Sequence, residues 1–392
     1  MFGGADPWVD QLVPSDITIR GNHIARPVAW KAPILEPPAG VRVLPASGAS
    51  GTVPAGLAAG LYLYSVAAER PASGSAAVSA ASAPINIDVQ SGAVLIEWTP
   101  VPGAAGYRVY RTGPGGAMFW RTAAARFTDS GTAGTSGEAA KRASVWTVKN
   151  LLELKNAKGV VIEGNLFEHH WPQAQPGHAI VFTPRNQSGR APWSRVTDVR
   201  FANNVVRHVS AGINLSGTDD TRPSVRADGI VIENNLFVDV GGERWGGSGD
   251  FVQIGNGPAN VRIERNTVLQ SGRPLLVYGS RHGSDVPGFV FRNNIVRHNR
   301  YGVFGQSAGT GRPAIAKYFP GGIIEGNVFS GGRAADYPDS NRFVAEGELD
   351  AIDGEGRLTL KDAARFKGQG ADLESLRTSG GAAPAPRPRS KE

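Results

Sequence analysis

Apolar and polar positions alternate in short runs that end on an asparagine and resume after it: ITIRGNHI, VVIEGNLF, VRFANNVV, IVIENNLF, VRIERNTV, FVFRNNIV and GIIEGNVF. The asparagines are Asn22, Asn165, Asn204, Asn235, Asn266, Asn294 and Asn327, and from Asn165 onward they lie 39, 31, 31, 28 and 33 residues apart. A period of about thirty residues marks a repeat architecture, in which each unit buries its apolar face only by stacking on its neighbours. The residues three and five places before the asparagine are apolar: Ile17 and Ile19, Val160 and Ile162, Val199 and Phe201, Ile230 and Ile232, Val261 and Ile263, Phe289 and Phe291. That alternation predicts a strand with one buried face. Another apolar residue stands two places after each asparagine (Ile24, Phe167, Val206, Phe237, Val268, Val296, Phe329), so the asparagine marks a corner between two strands. Asparagine tolerates left-handed backbone and bonds its own chain. Stacked unit on unit, the amides should form a ladder, a structural role.

Each unit also contains a third apolar run: 151–154, 179–183, 212–216, 251–255, 275–279 and 302–306. Three strands per unit, each parallel to its counterpart in the next, predict an all-β right-handed parallel β-helix with three strands per coil. The pattern resembles the pectate-lyase-like superfamily of bacterial β-helix proteins over roughly residues 1–32 and 144–345.

The interval from Asn22 to Asn165 is 143 residues, far more than one unit. Between residues 33 and 143 the asparagine motif is missing, and Ala, Gly, Ser and Pro surround the strand-like runs GLYLYSVAAE, APINIDV, AVLIEWTPV and GYRVYRT. Tyr62, Tyr64, Trp98, Tyr107 and Tyr110 read as the aromatic core of an inserted β-sandwich. The run LIEWTPVPGAAGYRVYR resembles a fibronectin type III module. Such a module has its ends close together, so it fits into one turn of a stack. It reads as a spacer or docking module. The expected organisation is a first coil at 1–32, the insert at 33–143, the main stack at 144–345, a C-terminal extension or cap at 346–378 and a disordered tail at 379–392.

Composition narrows the chemistry. The 392 residues include 52 Gly, 27 Pro and no Cys, which excludes disulfides, thiolate nucleophiles and cysteine metal sites. No run approaches the roughly 18 apolar residues of a membrane span. The first residues, MFGGADPWVDQLVPSD, lack the apolar core of a signal peptide. Because an open coil exposes unpaired edges, an end cap and an export signal are expected upstream, in an extracellular or periplasmic protein. Lys and Arg outnumber Asp and Glu by 41 to 34, giving a net charge of +7 that suits an anionic partner. No basic helix or dense cationic run points to nucleic acid. An acidic polysaccharide fits better.

The resemblance implies a substrate groove along one strand face, walled by loops. Long connections flank the third strand, where alternation places Glu153, Val181, Asn214 and Gln253 in one outward column and Lys155, Thr183, Ser216 and Gln306 in the next. The loops after these strands carry Arg185, Asn186, Asp219, Asp220, Arg222 and His282. The loops before them carry His169, His170, Trp171, Glu243, Arg244, Trp245 and Asp250. Carboxylates from different coils, Glu153 with Asp219 or Asp220, span the roughly 5–9.5 Å that separates glycosidase carboxylates. Adjacent Asp219 and Asp220 read equally as turn formers. A lyase would instead use Arg185, Arg244 or Lys155 to neutralise a uronate, with calcium held by Asp219, Asp220 and Asp250. His169, His208 and His298 all stand four residues after a ladder asparagine, as a polar turn column, whereas His170 is off that column and beside Trp171. Trp245 and Trp193 read either as sugar platforms or as core shields. The arginine signature of pectate lyases and the paired-aspartate signature of polygalacturonases are not recognisable. Two functions follow as expectations: cleavage or binding of an extracellular polysaccharide, as a lyase or glycoside hydrolase, or a non-catalytic surface, adhesin or phage-tail-like rod.

Overall fold

The computed structural model describes residues 12–31, 35–46, 56–70, 77–139, 148–173, 177–279, 284–352, 358–361 and 363–380. The N-terminal eleven residues, His282 and the tail from 381 lie outside them. The chain is mostly β and divides into two compact units, one of residues Met1–Arg26 with Thr147–Glu392 and the other of Pro27–Trp146.

In the larger unit the chain visits three sheets in turn and returns to the first, and each such circuit is one rung. The first sheet runs through Ser15–Arg20, Ala157–Glu163, Val196–Ala202, Asp228–Glu233, Ala259–Glu264, Val290–Arg292 and Ile323–Glu325, every neighbouring pair parallel. The second runs from His23–Ala25 through Leu166–His170, Val205–Val209, Leu236–Val240, Thr267–Gln270, Ile295–Arg297 and Val328–Ser330 to Arg342–Val344. The third contains Leu152–Leu154, Ile180–Phe182, Ile213–Ser216, Val252–Gly255, Leu275–Tyr278 and Val303–Gly305, and closes on the antiparallel Gly309–Thr310.

The core lies between the three sheets. The inward columns read from the sequence are buried, for example Val160, Ile162, Phe167, Val199, Phe201, Ile230, Ile232 and Phe237. Ile17, Ile19 and Ile24 pack against this core but are only partly buried. Phenylalanines from successive rungs stack within it, with Phe167 and Phe201 at 5.7 Å and Phe201 and Phe237 at 6.4 Å between ring centroids.

The asparagines form one continuous ladder. Each backbone N–H and each side-chain Nδ2 donates to the Oδ1 of the asparagine on the next rung; for Asn204 and Asn235 the distances are 2.8 and 3.1 Å. Nδ2 also donates to a carbonyl on the preceding rung, as from Asn235 to Phe201 at 2.9 Å. The ladder extends past Asn327 to Asn341, which the sequence pattern did not include. The left-handed residue at each corner is not the ladder asparagine but the one before it: Gly21, Gly164, Asn203, Asn234, Arg265, Asn293 and Gly326, with φ from 51° to 65°. The preceding residue makes the turn, so the ladder amide can point inward and be fully satisfied.

On the outer face of the second sheet, Val238, Leu269, Ile295, Val328 and Val344 are covered by Leu349 and Phe366 from the C-terminal segment. This segment is tied on by Ala371 N–H to Thr267 Oγ1 at 2.9 Å and Gly370 N–H to the Asn293 carbonyl at 2.7 Å.

The smaller unit contains two antiparallel sheets. One orders Arg126–Asp129, Val94–Glu97 and Arg42–Pro45; the other orders Thr135–Ser136, Gly116–Thr122, Gly106–Gly113, Gly60–Arg70 and Ala77–Val78, with Ile85–Val89 also pairing with Gly60–Arg70. Tyr62, Tyr64, Trp98 and Tyr107 share one core, where Trp98 and Tyr107 meet edge-on at 5.0 Å. Tyr110 does not join them. It packs with Ala67 and Val78, because strand alternation turns it to the other face from Tyr107 and Val109. Inside this unit Asp129 accepts from Tyr64 Oη at 2.7 Å and from Arg111 Nη1 at 2.9 Å.

Candidate functional site

The outward face of the third sheet carries charged, amide and apolar side chains. Its register places Glu153, Val181, Asn214, Gln253, Leu276 and Phe304 in one column. Ser216, Gly255 and Tyr278 stand in register in the next column. Neighbouring rungs are about 4.8 Å apart, so these columns hold side chains at a nearly constant interval. Glu153 pairs with Lys155 at 3.4 Å, and Gln253 Nε2 donates to Asn214 Oδ1 at 3.3 Å. Leu276 and Phe304 continue the column as an apolar end, where Arg273 lies over the Phe304 ring at 5.7 Å and Tyr301 packs on it at 5.3 Å.

Where the third strand leaves the sheet, Arg185 Nη1 lies between two carboxylates, 3.6 Å from Asp219 and 3.7 Å from Asp220. The two aspartates do different work. Asp219 is buried and accepts from the backbone N–H groups of Thr221 at 2.8 Å, Arg222 at 3.2 Å and Asn186 at 3.2 Å. Burial opposes its charge, but these amides, with Arg185, hold its carboxyl below the usual range. It organises a turn. Asp220 is exposed and accepts from Asn256 Nδ2. Tyr278 reaches the same place: burial and the Asp220 charge push its phenol up, while a hydrogen bond from Gln253 and the Arg185 charge pull it down less. The ring has room because a β-carbon at Gly255 would sit 2.5 Å from both Cζ and the hydroxyl of Tyr278.

Several residues expected to face a ligand do not. Asn186 is buried and spends its amide on the Pro223 carbonyl and the Ala191 N–H, both at 2.8 Å. His170 is buried with Ser210 Oγ 2.8 Å from its Nδ1, and burial pushes its imidazole down to about 4. Trp171 is buried, and Trp245, at 1 % exposure, shields the core rather than offering a sugar its face. Glu243 and Arg244 are exposed, with the Arg244 guanidinium 5.2 Å over the Trp245 ring. Asp250, expected as a calcium ligand with Asp219 and Asp220, is instead gripped by Arg273 through Nε at 2.8 Å and Nη2 at 2.7 Å.

A second cluster forms where the second strand gives way to the third. His169 and His208 stack at 5.6 Å and Trp245 lies 5.5 Å from each. Asp239 accepts from Trp245 Nε1 and faces His208 Nδ1, each at 2.7 Å. Thus Glu153, Lys155, Asn214, Gln253, Arg185 and Asp220 share the third-sheet face, whereas His170, Trp171, Glu243, Arg244 and Trp245 sit with the turn column. Sequence reasoning missed Tyr278, Leu276 and Phe304, although the same alternation that gave Gln253 extends to them.

No family model matches the chain, nor does any curated protein or solved structure. Among the described residues no helix is long and apolar enough to cross a membrane.

Proposed function

We propose that the larger unit is a right-handed parallel β-helix of the pectate-lyase-like kind, and that it holds an extracellular or periplasmic polysaccharide along the outward face of its third sheet. The observation that carries this reading is the column Glu153, Asn214, Gln253, Leu276 and Phe304, flanked by Tyr278 and the Arg185–Asp220 pair. Amides give sugar hydroxyls donors and acceptors, an apolar end receives a pyranose face, and the repeated rung spacing suits a linear polymer. Arg185 supplies a cation for an acidic sugar.

Cleavage at this face would use Asp220 and Glu153 as the carboxylates of a hydrolase. In a lyase, Arg185 and Lys155 would neutralise a uronate, the Glu153 carboxylate would take the adjacent proton and the protonated Tyr278 phenol would donate to the leaving oxygen. The smaller unit reads as a fibronectin type III-like module, a likeness supported by its two antiparallel sheets and Trp98–Tyr107 core, and its role reads as that of a spacer.

One observation favours a non-catalytic surface or adhesin-like protein: Asp219 is consumed by its turn and Glu153 is paired with Lys155. The two readings separate on incubation of the chain with acidic and neutral polysaccharides, with and without calcium. New unsaturated ends, seen by ultraviolet absorbance, identify a lyase; reducing ends without absorbance identify a hydrolase; saturable binding without new ends identifies a binding protein. If no polysaccharide binds, the carbohydrate reading fails.

A further inference from the structure

Glu168, His169 and His208 present one ligand atom each, all within 4.8 Å of one another. The fold places them together through register. Glu168 pairs with Arg207 and His170 with Val209 across adjacent strands of the second sheet, so His169 stands beside His208 on the next rung. Both histidines have left-handed backbone, φ 64° for His169 and 58° for His208, which turns them out of strict alternation. His169 therefore shares a side with its neighbour Glu168.

One imidazole already commits a nitrogen to an oxygen: His208 Nδ1 lies 2.7 Å from Asp239 Oδ2. Metal-binding histidines characteristically donate their second ring N–H to a carboxylate or backbone carbonyl, which fixes the tautomer and turns the other lone pair outward. Asp239 is itself held by Trp245 Nε1 at 2.7 Å, and the Trp245 ring backs both imidazoles. Arg207 Nε at 2.6 Å and His23 Nε2 at 2.7 Å take one position on each oxygen of Glu168. A carboxylate offers about four lone-pair positions, so two remain.

We propose that Glu168, His169 and His208 bind a divalent transition metal, with Asp239 as the residue that positions His208. Two imidazoles and one carboxylate suit zinc and its neighbours and not calcium, which takes six to eight oxygens. Ligand atoms around one zinc lie about 3.3 Å apart, so the imidazoles close inward on binding. The metal would bridge two rungs of the second sheet through residues that the polysaccharide reading does not use, so this site stands or falls separately from that reading.

The test is titration of the untagged full chain with Zn2+ by calorimetry and with Co2+ by visible absorption. One equivalent should bind, with a cobalt band of low-coordinate, histidine-ligated type. His169→Asn and His208→Asn are suitable variants because asparagine accepts left-handed backbone. Each should weaken binding by more than the ~10–100-fold expected of Asp239→Asn. Glu168→Gln, close in shape, tests the third ligand should a histidine variant not fold. Absence of one-equivalent binding, or affinity undiminished in folded histidine and Glu168→Gln variants, overturns the proposal.

Discussion

Tyr278 lays its ring across Gly255 on the preceding rung, where a β-carbon would come within 2.5 Å of the phenol. The two residues are in register across the third sheet, so the bare backbone at 255 creates the place the ring occupies beside Gln253 and Asp220. Gly255 needs no left-handed backbone, so alanine is accommodated locally and the strain falls on the ring. Gly255→Ala should displace Tyr278 and weaken polysaccharide binding several-fold, while stability changes by about 1 kcal/mol or less. Affinity electrophoresis beside urea unfolding checks this; unchanged affinity would remove Tyr278 from the site.

The asparagine ladder predicts a graded series. Asn235→Ala removes the acceptor of the Asn204 N–H and the donor to the Phe201 carbonyl, both buried. Each orphaned group costs ~1–3 kcal/mol, so the loss should reach about 3 kcal/mol or more. Among the described residues Asn22, at one end of the ladder, only donates: its N–H and Nδ2 go to Asn165 at 2.9 and 3.0 Å. Asn22→Ala keeps the backbone bond and should cost only about 1 kcal/mol. Equal losses at the two positions in denaturant unfolding would contradict a ladder satisfied rung by rung.

Two histidines set a pH dependence. Burial pushes both His170 and His178 down to about 4 from an ordinary 6.5, so the folded protein keeps them neutral where the unfolded chain protonates them. Between pH 6.5 and 4 the unfolded state binds more protons. Their contribution is therefore complete above the unfolded value, falls as pH drops through this window and levels off below the folded value. The loss is of order 3 kcal/mol per histidine. Urea unfolding at stepped pH should show this decline, and His178→Asn should flatten it; a slope unchanged in that variant would mean other groups carry it.

In the smaller unit, Asp129 joins Tyr64 and Arg111 beneath the surface. Asp129→Ala leaves the Arg111 guanidinium buried without its counter-charge, which costs about 3–5 kcal/mol. Calorimetry should show loss or lowering of this unit's transition. No change would mean that solvent reaches Arg111.

The strands, their parallel register and the ladder were legible because each repeats: an apolar alternation seen six times is not accidental, and Asn165 to Asn327 recur at nearly one period. Asn341 was missed since SNRFV follows Asn327 by only 14 residues, a shortened last rung. The left-handed position was misassigned because GN and NN pairs offer two residues able to adopt it, and at Arg265–Asn266 residue type favours the asparagine although the arginine takes the turn. Site residues fared differently according to where they stand. Those on strands, Asn214 and Gln253, follow from alternation alone. Those in loops do not: nothing local to WGGSGDF says that Trp245 folds inward to cap two imidazoles contributed by other rungs. Exposure of a loop aromatic is decided by contacts that its own sequence does not contain.

Asp219 and Asp220 are neighbours with opposite assignments, and this yields the sharpest test of catalysis. Asp219 is buried and accepts from three backbone amides, two on Oδ1 and one on Oδ2, so Asp219→Asn can keep the first two but loses the bond from the Asn186 N–H and the Arg185 ion pair, and should loosen the turn by ~1–3 kcal/mol while leaving turnover nearly unchanged. Asp220 is exposed beside Arg185 and Asn256, within reach of Tyr278. If the third-sheet face is a hydrolase site, Asp220→Asn should lower kcat by ~10²–10⁴-fold with KM little altered, the signature of a lost acid or base. If it is a lyase site, Asp220→Asn should instead change the pH profile, because the carboxylate that raises the Tyr278 phenol has lost its charge. Should the protein bind polysaccharide without cleaving it, Asp220→Asn should alter affinity only, and more for anionic than for neutral polymers, since removing this carboxylate leaves Arg185 freer to pair with an acidic sugar.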